Sequence, residues 1–246
     1  MAGRISTALL YAAFVLPLAG FWTCSHAAVP GAISARYDVL LNGLPIAVIN
    51  ERFEIQDHAY RIVSESNTVG LLALFRKQSA TLVSRGRLGD GGLQPEHFEG
   101  ENAGGDSRQV YAGFDWQEKR LTLRHDGKTE TAALPPGTQD RVSLMYQFMF
   151  IAPAQLKQFD VAMTNGRKID QYRYSITPDV DIDTPLGRMR TLHLVKERQP
   201  GESATEVWLA AQHHFFPVKV LIVEKDGSRY EQILTQIDMG PPPPKP

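Results

Sequence analysis

The chain has a single cysteine, Cys24, among its 246 residues. Cys24 lies within the first 27 residues, so the remainder has no thiol to form a disulfide, attack a substrate or bind a soft metal. Neither sign of charge is in excess, because 26 Lys and Arg residues oppose 27 Asp and Glu residues. A formal net charge of -1 provides no overall field that would attract nucleic acid, so we expect no nucleic-acid partner.

Long apolar runs are also scarce, and the clearest one lies near the N terminus. Arg4 precedes an apolar stretch over residues 8–22, and Ser25-His26-Ala27 places small residues at the -3 and -1 positions of a cleavage site. This pattern predicts a signal peptide over residues 1–27, with an uncleaved anchor as the alternative. No later run approaches the roughly 20 apolar residues of a membrane-spanning helix. We therefore expect a periplasmic protein with no transmembrane span after signal cleavage.

Residues 28–240 consist mainly of short β-patterned runs separated by turn signals. Asn42-Gly43 and Asp226-Gly227 each join two such runs and predict hairpins. In the run that begins at Pro45, alternate apolar residues share one face of a strand: Ala47, Ile49, Phe53 and Ile55. We predict one mainly β domain of about ten to twelve antiparallel strands, curved into a barrel-like or half-barrel sheet because so many twisted strands seldom stay flat.

One principal helix is predicted at about residues 140–156. Its apolar positions follow helical spacing and form one stripe: Val142, Met145, Tyr146, Met149 and Phe150. Asp140 is placed to cap the start, and Pro153 marks an end or kink. We expect this helix to pack on the concave side of the sheet. The segment 241–246 is a proline-rich tail that cannot donate to a β-ladder and is expected to be extended.

Three alternating aspartates, Asp179, Asp181 and Asp183, imitate the first ligands of a calcium loop. The rest of that motif fails, because Thr184 stands where the turn glycine belongs and Arg190 where the bidentate glutamate belongs. A solvated strand edge is the simpler interpretation.

Two further motifs do not complete a catalytic or metal site. His213 and His214 are adjacent, so on a strand they would point to opposite faces. Gly201–Thr205 resembles a nucleophile elbow around Ser203 but lacks its last glycine. The sequence therefore assigns no catalytic residue, no metal site and no cofactor.

A candidate site for an apolar or lipid-like ligand lies between the predicted helix and the sheet. Methionines at such positions can repack around ligands of different shape. The same side chains could instead fill a packed core, and that alternative stays open. The predicted ligand-binding residues are Phe53, Met145, Met149, Phe150, Tyr174 and Trp208.

Several short motifs occur in a characteristic order in the C-terminal half. They are Asp140-Arg141-Val142-Ser143, Thr184-Pro185-Leu186-Gly187, Glu206-Val207-Trp208-Leu209, Phe216-Pro217-Val218-Lys219 and the Asp226-Gly227 hairpin. Together they resemble DUF3108, an exported bacterial family of unknown function, over nearly the whole mature chain. The end of the chain is also similar to lipoprotein carriers of the LolA and LolB type. That second resemblance implies a half-barrel covered by helix that encloses an apolar cavity.

Three functional hypotheses follow, in order of preference. The first is a non-catalytic periplasmic module that binds an apolar or lipid-like ligand, since such a site needs only a cavity and a few polar groups. The second is a scaffold or assembly factor that contacts another envelope protein. The third is a hydrolase with an oxygen nucleophile, which requires a constellation of residues that the sequence does not display.

Overall fold

The computed structural model describes residues 29–70, 73, 78–103 and 109–241. Fifteen strands occur in these residues, and a short α-helix, α1, covers Ser143–Gln147. The strands are β1 (Ala32–Leu41), β2 (Leu44–Gln56), β3 (Ala59–Thr68), β4 (Ser79–Gly89), β5 (Gly92–Ala103), β6 (Gln109–Asp115), β7 (Arg120–His125), β8 (Lys128–Ala133), β9 (Gln139–Asp140), β10 (Gln158–Thr164), β11 (Ile169–Thr184), β12 (Gly187–Lys196), β13 (Ala204–Ala210), β14 (Phe216–Val223) and β15 (Arg229–Met239).

The strands form one sheet in which nearly every strand pairs with its neighbours in the chain. The order is β8-β7-β6-β5-β4-β3-β2-β1-β15-β14-β13-β12-β11-β10-β9, so the first and last strands pair at the centre. Adjacent strands are antiparallel except for β9 and β10, which are parallel. The sheet is curved and unclosed, with β8 and β9 at its two edges. The predicted fold class, a single curved mainly β sheet, is confirmed.

Tight turns account for much of this meander topology. Asn42 (φ 50°) and Gly43 (φ 83°) both adopt the left-handed conformation between β1 and β2. Two successive residues with positive φ match the twist of an antiparallel pair, which explains why Asn-Gly occurs at this position. Gly227 (φ 85°) serves the turn between β14 and β15. The hairpins predicted at Asn42-Gly43 and Asp226-Gly227 are therefore present.

Two apolar clusters fill the interior. One contains Tyr37, Phe53 and Tyr146 and connects the N-terminal strands to α1. The other contains Tyr174 and Leu194 on the C-terminal strands, together with α1 and the residues that follow it. The segment around α1 contributes to both clusters, because Tyr146 belongs to the first and Phe148 to the second. It therefore lies between the two halves of the sheet, with apolar side chains buried on more than one side.

The predicted extent of the helix, residues 140–156, is wrong. Asp140 belongs to β9, where it pairs with Thr164, and the α-helix covers only Ser143–Gln147. Turns follow it, and a short 3-10 helix occupies Pro153–Gln155. The apolar spacing extends beyond the helix because this segment is buried between the two halves of the sheet, so its apolar residues do not require continuous helix.

The predicted count of ten to twelve strands is also too low. Strands β5, β8 and β9 were not predicted from the sequence. β5 contains two glycines, a proline and three glutamates, and the six residues of β8 include no large apolar side chain. Neither strand has the apolar alternation of a half-buried strand, and both form because a neighbouring strand offers a complete hydrogen-bonding ladder.

Some predictions lie outside the described residues. These include the signal peptide over 1–27 and the proline-rich tail after Pro241. Within the described part of the chain, no helix is long and apolar enough to cross a membrane.

Candidate functional site

A cavity of about 440 Å³ lies between the segment around α1 and the inner face of the sheet. Both halves of the sheet contribute to it, through Ile49 and Leu82 on one side and Val220 and Ile222 on the other. Its other apolar walls come from Tyr37, Ala80, Val142, Leu144, Met145, Met163, Tyr172, Tyr174 and Pro217. The polar lining is Glu51, Ser64, Ser66, Asn102, Arg141, Asn165, Lys196, Thr205 and Gln232.

A larger depression of about 660 Å³ lies along β4 to β8, but it is a different kind of feature. Thr81 and Val83 line it, whereas their neighbour Leu82 lines the inner cavity, so the depression lies on the outer face of the sheet. Its lining includes many charged residues, among them Glu99, which already pairs with Arg85 at 3.3 Å. The inner cavity lies between α1 and the sheet and combines apolar walls with polar groups, so it is the better candidate for a ligand site.

The inner cavity brings together two of the residues predicted to bind a ligand, Met145 and Tyr174. Met145 is half-buried on α1, whereas Tyr174 is buried on β11. Burial raises the pKa of Tyr174 to about 12, so its hydroxyl remains protonated at neutral pH.

Three other predicted residues lie in the packed core beside the cavity rather than in its lining. Phe53 is fully buried and stacks on Tyr146, with ring centroids 5.0 Å apart. Phe150 lies against Phe53 at 6.0 Å, and Met149 is buried in the same cluster. These side chains therefore support the wall of the cavity without facing it.

Trp208 is not part of the cavity lining and belongs to the same buried core cluster as Phe53 and Met149. Its neighbour Val207 packs in the same cluster as Tyr174, and successive side chains on a strand point to opposite faces. Trp208 instead stacks on His193 at 4.5 Å, and the Lys219 ammonium lies 5.4 Å from the centroid of the Trp208 ring. It does not share a site with Met145 and Tyr174.

Glu51 provides a carboxyl group at the wall of the cavity. Its two oxygens accept hydrogen bonds from the hydroxyls of Ser64 and Tyr146, each at 3.0 Å. Burial raises the pKa of Glu51 above its ordinary value, and these two hydrogen bonds act in the opposite direction. The carboxyl is therefore easier to protonate than an exposed glutamate.

Asp140 anchors the segment that carries Arg141. One carboxylate oxygen accepts hydrogen bonds from the backbone N–H groups of Val142 (2.9 Å) and Ser143 (2.8 Å), and the other accepts from the hydroxyl of Ser84 at 2.5 Å. Burial raises the pKa of Asp140, whereas these hydrogen bonds lower it. The network ties the start of α1 to strand β4 and directs Arg141 to the cavity.

The other sequence motifs lie away from the cavity. Asp179 and Asp181 are on β11 and pair across the hairpin with Arg190 and Arg188, at 3.8 and 3.1 Å. In the described part of the chain, no group of three or more His, Cys, Asp and Glu side chains is arranged to hold a metal ion.

Ser203 lies in the loop before β13, and its hydroxyl donates a hydrogen bond to Glu224. No histidine in the described ranges is hydrogen-bonded to Ser203. His213 ends a 3-10 turn and His214 adopts the left-handed conformation, so the pair is not on a regular strand. These motifs therefore add no catalytic group to the cavity.

Sequence reasoning missed the polar residues of the cavity. Glu51 occupies the alternate positions of β2 that also hold Ile49 and Phe53, so a carboxylate among inward-facing apolar residues was the available signal. Asn102 and Asn165 gave no such signal, because the first lies in a strand that was not predicted and the second in a turn.

The family model described as "Protein of unknown function (DUF3108)" matches residues 36–235. The chain belongs to the DUF3108 family. This match confirms the resemblance that the motifs of the C-terminal half indicated. No curated protein sequence matches this DUF3108 chain.

Solved structures with a similar chain path include the β-barrel-like DUF1849 protein of Brucella abortus. It is 11% identical, with a TM-score of 0.58, and the alignment covers 87% of this chain and 99% of that chain. A Bacteroides fragilis protein named as exported, with a YmcC-like fold, is 11% identical, covering 86% and 97%, with a TM-score of 0.36. A Parabacteroides distasonis protein named as a lipoprotein is 8% identical, covering 86% and 97%, with a TM-score of 0.31. The Brucella structure shows the same barrel-like fold.

Proposed function

We propose that this DUF3108 domain is a non-catalytic binding module that holds an apolar or lipid-like ligand in its inner cavity. The supporting observation is the cavity of about 440 Å³ between α1 and both halves of the sheet. Its volume lies within the range of small-molecule sites, and its lining combines apolar walls with polar groups that could fix the orientation of a ligand.

The composition of the walls favours a flexible apolar ligand over a rigid polar one. Met145 and Met163 both line the cavity, and both are half-buried. Unbranched methionine side chains change rotamer at little cost and can close around chains of different length. Val220 and Ile222 add aliphatic surface from β14.

Binding of a fluorescent fatty acid tests this proposal directly. We expect saturable binding to the folded protein and displacement by an unlabelled fatty acid. Val220→Trp should weaken binding at least several-fold, because the indole would occupy the cavity that Val220 lines. A matched control is Ile233→Trp, which also introduces an indole but on the opposite face of the sheet. Its neighbour Gln232 lines the cavity, and adjacent side chains on a strand point to opposite faces.

Thermal melting of both variants establishes that they are folded before binding is compared. Equal weakening by the two substitutions would assign the effect to altered stability and not to the cavity. Absence of saturable binding by the wild-type protein would overturn the proposal and favour the hypothesis of a scaffold that contacts another envelope protein.

The proposed compartment is the periplasm, where a lipid carrier or sensor would meet envelope lipids. The support is the signal-peptide pattern over residues 1–27 of the sequence. Fractionation of cells that express the full chain, followed by N-terminal sequencing, tests it. Recovery of a periplasmic protein that begins at Ala28 is the expected result, whereas an intact N terminus in the cytoplasm would contradict it.

A further inference from the structure

One end of the cavity differs from the rest in that hydrogen-bond donors predominate there. A smaller cavity of about 140 Å³ adjoins it and shares four lining residues with it: Leu82, Asn102, Arg141 and Asn165. We call this region, defined by Asn102, Arg141 and Asn165, the polar end.

Local backbone geometry brings Arg141 and Asn165 together. Asp140 pairs with Thr164 in the short parallel ladder between β9 and β10, and the backbone N–H of Arg141 donates to the carbonyl of Thr164 at 3.1 Å. Arg141 and Asn165 are the next residues of the two segments, and both line the larger and the smaller cavity. The anchoring of Asp140 by Ser84 and two backbone N–H groups holds this arrangement in place.

The side chain of Asn165 presents donors to the cavity. Its Oδ1 accepts hydrogen bonds from the backbone N–H groups of Arg167 (3.0 Å) and Lys168 (3.2 Å), which identifies the oxygen of the amide. No acceptor in the described part of the chain is bonded to its Nδ2. The two N–H bonds of Nδ2 are therefore available to a ligand.

Arg141 lines both cavities and is also exposed to solvent, so its guanidinium is accessible to a ligand. Among the described ranges, no side chain forms a hydrogen bond or an ion pair with its guanidinium, although the residue lies on two cavities. A guanidinium is protonated at neutral pH, so Arg141 carries a positive charge there. The other cations nearby are already engaged, since Arg167 pairs with Asp126, and Lys196 lies over Tyr172 and 3.8 Å from Glu202.

The one carboxyl group of the cavity lining, Glu51, does not neutralise Arg141. Its oxygens are occupied by Ser64 and Tyr146, and burial favours its neutral form. The polar end thus combines a cation and amide donors beside apolar walls. Donors in this geometry match the several acceptor oxygens of a carboxylate or phosphate group.

We propose that the ligand is an amphipathic anion, whose carboxylate or phosphate headgroup binds Arg141 and Asn165 while its hydrocarbon chain lies against Met145, Met163 and Val220. This inference rests on the proposed function and specifies its ligand class. It assigns Arg141 and Asn165 as the residues that select the headgroup.

Calorimetric titration with ligands that have the same hydrocarbon chain tests the apolar site and the headgroup site separately. Decanoate, decyl phosphate and decanol have equal chains and differ in headgroup, whereas acetate and inorganic phosphate have no chain. At pH 8 we expect decanoate or decyl phosphate to bind the wild-type protein at least tenfold more tightly than decanol, because charge-assisted hydrogen bonds are stronger than neutral ones. The tighter of the two identifies the headgroup, and acetate and inorganic phosphate should bind far more weakly.

Two variants test the headgroup residues. Arg141→Met should bring the affinities for the anions and for decanol to within about threefold of each other while decanol binding is retained. Asn165→Asp keeps an oxygen for the N–H groups of Arg167 and Lys168 but replaces donors by a negative charge, so it should weaken binding of the anions selectively. The control is Arg190→Gln, an exposed arginine on β12, which should leave all affinities unchanged.

Each outcome has a distinct meaning. Equal wild-type affinity for decanol and both anions, or a preference that survives in Arg141→Met and Asn165→Asp, overturns the headgroup assignment and leaves the apolar site intact. Binding of acetate or inorganic phosphate as tight as that of the chain-bearing anions overturns the amphipathic ligand. Binding of no amphiphile at all overturns both this inference and the proposed function.

Discussion

The ring of Tyr146 on α1 lies on the ring of Phe53 on β2, with centroids 5.0 Å apart and an angle of 25° between the planes. The same tyrosine meets Phe216 on β14 edge-on at 5.4 Å, and its hydroxyl donates to Glu51 at 3.0 Å. One side chain therefore joins α1 to strands from both halves of the sheet. It also orients the carboxyl group at the cavity wall.

Loss of the Tyr146 hydroxyl should destabilise the domain less than loss of the ring. Tyr146→Phe leaves Glu51 with one fewer donor and should lower the free energy of unfolding by about 1–2 kcal/mol. Tyr146→Ala also removes a fully buried ring and should cost about 3–5 kcal/mol. Urea denaturation measures both, with the exposed Tyr230→Ala as a control of small effect. Equal losses for Phe and Ala at position 146 would show that the ring contacts contribute little.

Gly86 should tolerate no side chain. A Cβ at this position would lie 2.1 Å from the backbone oxygen of Gln94, at the register shift between β4 and β5. Relief of that clash requires movement of the backbone, so Gly86→Ala should cost about 1–3 kcal/mol or prevent folding. Gly89→Ala on the same strand meets open space and should change stability by less than about 0.5 kcal/mol. Comparable melting temperatures for the two variants would contradict this prediction.

Stability should depend on pH through Glu51. Burial raises the pKa of Glu51 in the folded protein, whereas the unfolded chain has a value of about 4.3. The folded state then retains the proton to higher pH than the unfolded state, so this residue lowers stability as pH rises from about 4.3 through its raised pKa. Glu51→Gln should lose less stability than the wild type between pH 4.5 and 7.5 in urea denaturation. An identical change in both proteins would show that Glu51 does not titrate in this window.

Asp140 should contribute more to the stability of the folded protein than an exposed aspartate does, because its carboxylate accepts three hydrogen bonds. Asp140→Ala leaves the backbone N–H groups of Val142 and Ser143 and the hydroxyl of Ser84 without their acceptor, which should cost about 3 kcal/mol. Asp160→Ala removes only an exposed ion pair with Arg173 and should have a much smaller effect. Differential scanning calorimetry compares the two. A larger loss for Asp160→Ala would contradict the assignment of Asp140 as an anchor.

The candidate site was only partly predictable. Met145 and Tyr174 line the cavity, whereas Phe53, Met149 and Phe150 lie in the adjoining core. Apolar character and spacing identify residues that face the interior, but they do not distinguish a side chain that fills space from one that borders a cavity. Trp208 shows the same limit, because it is buried and stacks on His193 without lining the cavity.

The curved antiparallel sheet could be predicted from the sequence alone, because period-two apolar patterns and turn dipeptides such as Asn42-Gly43 act over a few residues. The family could be recognised in the same way, through motifs in a characteristic order. The short extent of α1 and the existence of β5, β8 and β9 became visible only in the folded chain, since these features depend on packing and pairing with other segments. The polar end of the cavity was decided in the same way. The β9–β10 ladder places Arg141 and Asn165 together, and no local pattern encodes that long-range pairing.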